Sequence, residues 1–366
     1  MRYGVGLRAG GLQVGVLQRG MTASVTVRTA SELADALKRG VGEIVIEGRI
    51  TGSPSVTLPE GVRLRGGELA FLAKGVRLTK DNTLYDVTIT TTPYEVAVYN
   101  DTSVPDAGTF VFKNVTTVGQ VYLVADGDTK RIRVEADGLH VKDADVRGRV
   151  EQPHGFGVDV LQGGLTLWNR QKDSGSSFTA TLKDVSVGTE ETPVRGSGVF
   201  VAGYGDREGR LAGGAFTADL IETGKVVTDG GIAPGTPDKI SGGVFVVSGA
   251  TVDKVLNAGE VTTHGQKRHG AGQLGLREGV GLQRRGEVDR ALRDRVRQLR
   301  RHRHPGHAST SGHHGRRCPR VQPVRRVADV GVVPLNQDHR RRLRRHPGQQ
   351  ANGQPHRPPR RRHHRR

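Results

Sequence analysis

The sequence is poor in the residues that stabilise small secreted domains and metal-built domains. It contains one cysteine, Cys318, among 366 residues. It can therefore form neither an internal disulfide nor a zinc site of the paired-cysteine type. It also lacks an apolar run of about 18 residues, the length that a membrane-spanning helix requires. We therefore expect no membrane span, no metal site and no cofactor.

The first 20 residues lack the compact apolar segment of a signal peptide. This favours a cytoplasmic location, with secretion by another route left open. Met21 directly precedes the β-rich segment SVTVRT. We therefore interpret Met21 as the natural start and residues 1–20 as an extension that is not native.

Large apolar side chains are missing from the last hundred residues. All 15 Phe, Trp and Tyr residues and every Ile lie before residue 267. Segment 267–366 carries 28 Lys and Arg against 6 Asp and Glu, whereas residues 1–266 carry 28 against 31. A chain without large apolar side chains cannot offset by burial the entropy that it loses on folding. We therefore predict an ordered region at 21–266 and a largely disordered basic tail at 267–366.

The basic tail has three interpretations. It is a natural tail that binds nucleic acid without sequence specificity, a solvated run without a partner, or a translation of the gene in the wrong frame. Of its 28 basic residues 27 are Arg, and GC-rich codons read one nucleotide later turn RHGAGQLG into the strand-like DMVLDNWG. We favour the frameshift, with no structure in the tail beyond one helix near 287–301.

Residues 21–266 contain short apolar alternations that end at Gly, Asn, Asp or Pro, which predict strands of three to five residues. One helix is expected in TASELADALKRG. Thr29 and Glu32 form a capping-box pattern there, and Leu33 and Leu37 lie on one helical face. The sequence thus predicts an all-β region with a single short helix near its start.

One strand-initiating phrase recurs along this region. It pairs a turn-forming residue with the first apolar residue of a strand: Asp86-Val87, Asn114-Val115, Gly138-Leu139 and Asp184-Val185. The apolar residues are 28, 24 and 46 positions apart, and we interpret the last interval as two steps of 23. A period in this range is typical of a solenoid, which would have about ten turns.

The opening order of elements resembles the pectin-lyase-like proteins. It comprises a strand in VTVRT, a helix in SELADALKRG, a buried strand in EIVIEG and then VTLPEGVRLRGG. The chain is also similar, over residues 21–266, to a group of actinobacterial β-helix proteins. The resemblance implies a single-stranded right-handed parallel β-helix whose N-terminal helix caps the first turn. It implies no established activity.

Enzymes of the pectin-lyase-like class act on sugar polymers with paired carboxylates, or with Ca²⁺ and an Arg base. Two long Gly-rich loops, at 154–170 and 202–214, interrupt the strand rhythm here, and such loops commonly carry binding sites. The candidate substrate-binding residues are His154, Asp159, Trp168, Arg170, Arg195, Tyr204 and Asp206. Trp168 and Arg170 would offer a platform for a sugar ring, although packing against the coil is the commoner role of such a Trp.

No residue receives a catalytic role, because the sequence has no adjacent Asp-Asp, no Gly-His-Gly and no Arg-Ile-Lys motif. The sequence therefore predicts a structural or glycan-binding β-helix protein, with a polysaccharide as its partner, and favours a protein that is not an enzyme. The alternatives are a polysaccharide lyase or glycoside hydrolase, and nonspecific nucleic-acid binding through the tail. The oligomeric state is not indicated.

Overall fold

The structure is a computed structural model that describes residues 24–149, 154–155, 158–206, 208–233, 236 and 239–264. It describes only the backbone of 154, 155, 158, 268–273 and 281–284. The N-terminal extension at 1–20, the helix near 287–301 and most of the basic tail lie outside these residues. The expectations about the undescribed residues stay predictions. Residues 268–273 and 281–284 of the tail form strands, so the expectation of no tail structure beyond one helix is wrong for them.

The described residues form two β-sheets, whose strands pair in parallel except in one short hairpin. The first sheet contains β1 (Ser24–Val27), β2 (Glu43–Ile46), β3 (Arg49–Thr51), β5 (Arg63–Arg65), β6 (Glu68–Ala70), β8 (Thr83–Thr90), β10 (Asp106–Val118), β12 (Arg131–Asp143), β16 (Ser177–Val187), β17 (Val194–Arg195), β19 (Ala215–Asp229), β21 (Ala250–Val252), β22 (Lys254–Asn257), β23 (Val261–His264) and β25 (Gly281–Arg284). The second sheet contains β4 (Val56–Leu58), β7 (Val76–Leu78), β9 (Val96–Asn100), β11 (Gln120–Ala125), β13 (His154–Gly155), β14 (Val158–Val160), β15 (Gly163–Asn169), β18 (Ser197–Ala202), β20 (Lys239–Val246) and β24 (Arg268–Gln273).

From β8 to β12 the chain alternates between the two sheets, so that each strand pairs with the strand one circuit later. Val87 of β8 pairs with Val115 of β10, and Val115 pairs with Leu139 of β12. Between them, β9 and β11 pair in the second sheet. This is the parallel solenoid that the repeat predicts, and its all-β class is confirmed.

The recurring phrase marks a corner within the first sheet. The φ angles of Asp86, Asn114, Gly138 and Asp184 are 49°, 50°, 78° and 47°, in the left-handed region that Gly, Asn and Asp tolerate best. The register places these four residues on successive circuits. Strands continue across the corner, so β10 and β12 each have 13 residues. The prediction of strands of three to five residues is wrong for them.

The 46-residue interval is one circuit, and its interpretation as two steps of 23 is wrong. Leu139 pairs directly with Val185. This circuit is long because it contains the additional strands β13 and β14 as well as β15. In the described part of the chain, the main ladder of the first sheet has ten strands, nine of them before residue 266.

The one helix in the described residues, α1 (Ala30–Lys38), is the predicted helix. The hydroxyl of Thr29 accepts a hydrogen bond from the Glu32 N–H at 3.2 Å, which confirms the N-cap. Glu32 Oε2 accepts from the backbone N–H of Arg28 at 2.6 Å, instead of from Thr29 as in a standard capping box. Leu33 is fully buried, and Leu37 is partly buried against the same core as the strands.

Inward side chains of both sheets share one hydrophobic core. One ladder through it runs from Ile132 to Phe178, Phe216 and Ala250 on successive circuits. Phe178 and Phe216 are fully buried, and their ring centroids lie 5.3 Å apart. Burial of each ring contributes about 2 to 3 kcal/mol to stability, so this ladder fixes the register of the circuits.

Candidate functional site on the second sheet

An aromatic row lies on the outer face of the second sheet. Arg77 pairs with Tyr99, and Tyr99 pairs with Tyr122, so the three residues follow one another on β7, β9 and β11. Their strand neighbours Val76 and Val98 are buried in the core. Because successive side chains point to opposite faces of a strand, the row points outward. Strands about 4.8 Å apart give the row a length of about 10 Å.

A groove of about 350 Å³ follows this row. Its lining comes from β7, β9 and β11, their adjacent turns, the segment after β12 and the turn before β15: Lys74, Arg77, Val96, Tyr99, Asn100, Asp101, Thr102, Gln120, Tyr122, Val124, Arg149 and Gln162. The groove lies on a rigid sheet, and its polar groups are distributed along its length. Such a surface suits a stretch of an extended molecule.

Tyr99 is held in place at the centre of the groove. Its hydroxyl lies 2.9 Å from Ser55 Oγ, within hydrogen-bond distance. Lys74 Nζ lies 5.7 Å from the centroid of the Tyr99 ring, which is within the range of a cation–π interaction. The groove therefore presents an aromatic ring with a positive charge beside it.

Arg77 is oriented by two neighbours. Its Nε donates to Thr57 Oγ1 at 2.9 Å, and its Nη1 lies 3.7 Å from Asp101 Oδ2. The side-chain hydroxyl and the backbone N–H of Ser103 donate to Asp101 and lower the pKa of its carboxyl. Asp101 is therefore ionised at neutral pH and partly offsets the charge of Arg77.

The described residues that line the groove carry more positive than negative charge. Three of them are cations, Lys74, Arg77 and Arg149, and one is a carboxylate, Asp101. A concave surface with an excess of positive charge raises the local concentration of anions and accelerates their association. The groove thus combines aromatic rings with cationic groups along one line.

Four of the seven predicted binding residues lie together, at the carboxyl ends of the second-sheet strands. Trp168 packs edge-on against Phe200, with ring centroids 6.1 Å apart. The Arg170 guanidinium lies 5.0 Å from the Trp168 ring centroid and pairs with Asp126 at 2.9 Å. Because Trp168 is only 9% exposed, little of its ring is accessible to a sugar.

Tyr204 and Asp206, the other two residues of this group, lie in the loop after β18. The Tyr204 N–H donates to the carbonyl of Gly214 at 2.9 Å. Asp206 accepts hydrogen bonds from the N–H groups of Glu208 and Arg210, both at 2.9 Å, and from Arg210 Nε at 2.8 Å. The bond from the Arg210 N–H is the main reason that the pKa of Asp206 is lowered. In this structure Asp206 closes its own loop.

The remaining three predicted residues lie at the amino ends of these strands. His154 pairs with Asp159 in the β13–β14 hairpin, and Asp159 also pairs with Lys239. The side chain of His154 lies outside the described residues. Arg195 is in β17. The seven residues of β15 separate the two groups by about 20 Å, so the structure does not bring the predicted set together.

Arg195 belongs to a row of polar residues on four successive circuits. Asp145 pairs with Arg195, Arg195 with Asp229, and Asp229 with His264. Asp145 Oδ2 lies 3.5 Å from Arg195 Nη1 and 2.6 Å from Arg147 Nη2, and the Asp145 side chain is 5% exposed. Side-chain hydrogen bonds from Arg147 are the main reason that the pKa of Asp145 is lowered.

Asp143 lies two residues before Asp145, and its pKa is shifted in the opposite direction. Its Oδ1 is buried and has no hydrogen-bond partner within the part of the chain that the structure describes. Burial raises the pKa of Asp143, with Arg195 acting against the rise. The Asp-Ala-Asp segment thus holds one carboxyl that retains its proton more readily and one that is ionised. Such pairs are used in acid–base chemistry.

The outer face of the second sheet becomes apolar beyond the groove. Val124, Trp168, Phe200 and Phe245 belong to a hydrophobic cluster that is separate from the core. Phe200 and Phe245 are almost completely buried. Val124 also lines the groove, so one end of the groove meets this cluster.

Sequence reasoning missed the aromatic row, although a signal for it was present. Tyr99 in VAVYN and Tyr122 in QVYLVA are 23 positions apart, which is close to the predicted period. Each also directly follows a Val that is buried in the core, Val98 or Val121. Alternation together with the repeat would have placed both rings on one outer face.

The chain matches no protein-family model, no curated protein and no solved structure. In the described residues, no helix is long and apolar enough to cross a membrane. The same residues contain no group of three or more His, Cys, Asp or Glu positioned to hold a metal ion.

Proposed function

We propose that this protein is a β-solenoid that binds an extended acidic polysaccharide along the outer face of its second sheet. The observation that carries the proposal is the row of Arg77, Tyr99 and Tyr122 on three successive strands. Aromatic rings supply apolar area with little loss of entropy, and cations pair with the carboxylates of uronic acids. A polymer suits this surface because its repeats can follow successive circuits.

The proposal includes the hand of the coil. We take the solenoid to be a right-handed parallel β-helix of the pectin-lyase-like kind. Support comes from the general rule that connections between parallel strands of one sheet are right-handed in about 98% of cases.

Calorimetric titration with a polygalacturonate oligomer and with its carboxyl-reduced, neutral counterpart tests this function. We expect the acidic oligomer to bind more tightly, and Tyr99→Ala and Tyr122→Ala each to weaken binding about fivefold or more, as buried aromatic anchors do. Tyr204→Ala is the matched control, because Tyr204 lies in the loop after β18 and not in the groove. Equal losses from all three variants would contradict the groove as the binding site.

Cleavage of the polysaccharide is a second candidate function, favoured by Asp143 and Asp145. Their pKa values are shifted in opposite directions, and glycosidic cleavage needs one protonated and one ionised carboxyl. A reducing-end assay on the same oligomer tests it. The expected result is activity that both Asp143→Asn and Asp145→Asn abolish, and activity retained in both variants would eliminate this candidate.

A further inference from the structure

The end of the groove next to β15 contains a polar network that is buried although it lies beside the outer face. Gln120 and Thr166 are 0% exposed, and Gln162 is 1% exposed. Buried amide groups are costly unless their hydrogen bonds are satisfied. The contacts of Gln120 therefore determine what this network does.

The hydrogen bonds of Gln120 fix the orientation of its amide. Its Nε2 lies 3.0 Å from Gln162 Oε1, 3.1 Å from the carbonyl of Gly163 and 3.2 Å from Thr166 Oγ1. Two of these neighbours are carbonyl-type oxygens, which only accept hydrogen bonds. The NH₂ group must therefore face Gln162 and Gly163, and the oxygen Oε1 must face the other way.

That oxygen accepts a hydrogen bond from Arg149. The distance from Arg149 Nε to Gln120 Oε1 is 2.9 Å, and Arg149 Nη2 donates to the carbonyl of Tyr94 at 2.7 Å. Two donors on a planar guanidinium are thus held by two acceptors, so its plane is fixed. Because Arg149 and Gln120 both line the groove, the charge is fixed at the binding surface.

We propose that Arg149 is the specificity-determining residue of the groove, selecting polymers with carboxylate groups, and that Gln120 is the residue that positions it. The inference rests on the proposed function and extends it from charge in general to one guanidinium. A side chain that is already ordered loses less entropy on binding than a free one. Arg149 therefore differs from Lys74, which is an exposed ammonium on a flexible chain.

Three variants separate the effect of the Arg149 charge from the effect of the orientation of its guanidinium. Arg149→Gln removes the charge, Arg149→Lys retains the charge without the planar fork, and Gln120→Met retains the arginine but removes its support. The control is Arg133→Gln, because Arg133 is exposed on the first sheet and pairs with Glu135 of its own strand at 2.8 Å. Binding of the polygalacturonate oligomer and of its carboxyl-reduced form is measured across a range of salt concentrations.

We expect Arg149→Gln to weaken acidic-oligomer binding about tenfold and to reduce its salt dependence. Arg149→Lys and Gln120→Met should each weaken it roughly three- to tenfold with the salt dependence unchanged. Binding of the neutral oligomer and binding by Arg133→Gln should stay within twofold of the wild type. If Gln120→Met melts at a temperature far below that of the wild type, Arg149→Lys alone tests whether the fixed orientation of the guanidinium matters for binding.

The inference is overturned if Arg149→Gln weakens acidic-oligomer binding no more than Arg133→Gln does, or if Arg149→Lys binds as tightly as the wild type. Failure of the proposed function gives a different result. In that case the wild type binds neither oligomer, or Tyr99→Ala and Tyr122→Ala have no effect, and the inference fails with it. Loss of binding in the tyrosine variants with no loss in the Arg149 variants rejects the inference alone.

Discussion

Asp143 and Asp145 should affect stability in opposite directions when each is replaced by Asn. Asp145 accepts from Arg147 Nε at 2.9 Å and from Arg147 Nη2 at 2.6 Å. Hydrogen bonds to charged groups contribute about 1.5 to 3 kcal/mol each. Arg147 is 45% exposed, so solvent screens part of this interaction. We expect Asp145→Asn to lower the free energy of unfolding by about 2 kcal/mol at neutral pH.

The pH dependence follows from the direction of each pKa shift. The folded-state pKa of Asp145 lies below the value of 3.8 for an unperturbed Asp. Its contribution is therefore present above that value and is lost as pH falls through the folded pKa. The folded-state pKa of Asp143 lies above 3.8. Its protonated form therefore favours folding below 3.8, and that contribution is lost as pH rises through the folded pKa.

Asp143→Asn should therefore raise the free energy of unfolding at neutral pH, by about 1 kcal/mol, because it removes a desolvated carboxylate. Chemical denaturation at neutral pH and near pH 3 measures both effects, and the difference between wild type and Asp145→Asn should shrink in acid. Asp137→Asn is the control, because Asp137 is exposed on the first sheet and surface changes stay within about 0.5 kcal/mol. If Asp145→Asn costs no more than Asp137→Asn, the reasoning is refuted.

Three further predictions concern the coil and its reading frame. Phe216→Ala should cost about 3 to 5 kcal/mol in denaturation experiments, because Phe216 is fully buried in the core ladder; a cost below 1 kcal/mol would contradict that ladder. Gly138→Ala should destabilise the protein by about 1 to 2 kcal/mol, whereas Asp184→Gly should not. Gly138 has a φ of 78°, and an added Cβ would lie 3.2 Å from Asn114 Cα. Equal melting temperatures of wild type and Gly138→Ala would contradict this prediction. Sequencing the coding DNA should reveal a frame, one nucleotide later after about residue 266, that encodes further strands, and an early stop codon in that frame would reject the frameshift.

Much of the fold could be predicted because it depends on local chemistry. The corner residues Asp86, Asn114, Gly138 and Asp184 tolerate a positive φ, and each precedes an apolar alternation, so the sequence revealed both the corner and the strand. The helix was equally local, since Thr29 and Glu32 cap it. The lengths of the strands and of the circuits could not be predicted from neighbouring residues. They depend on whether the backbone continues across a corner and on how many residues an insertion adds, which periodicity does not report.

The candidate site could not be predicted in the same way. Six of the seven predicted residues were chosen from two expected loops, and the first expected loop, 154–170, is wrong because it consists largely of β13, β14 and β15. Trp168 packs against Phe200, and Asp206 closes its own loop. The groove instead depends on which residues of different circuits become neighbours. Tyr99 and Tyr122 meet only through the pairing of β9 with β11, and that pairing requires the register to be known.

Hydroxyl-radical footprinting of tyrosine side chains, with and without the polygalacturonate oligomer, tests the central claim most directly. It reports on the exposure of each ring in the full chain without a substitution. We expect the oligomer to slow oxidation of Tyr99 and Tyr122, which line the groove, and to leave the oxidation of Tyr204 unchanged. Protection of Tyr204 with no change at Tyr99 and Tyr122 would contradict it and would place the ligand on the loops.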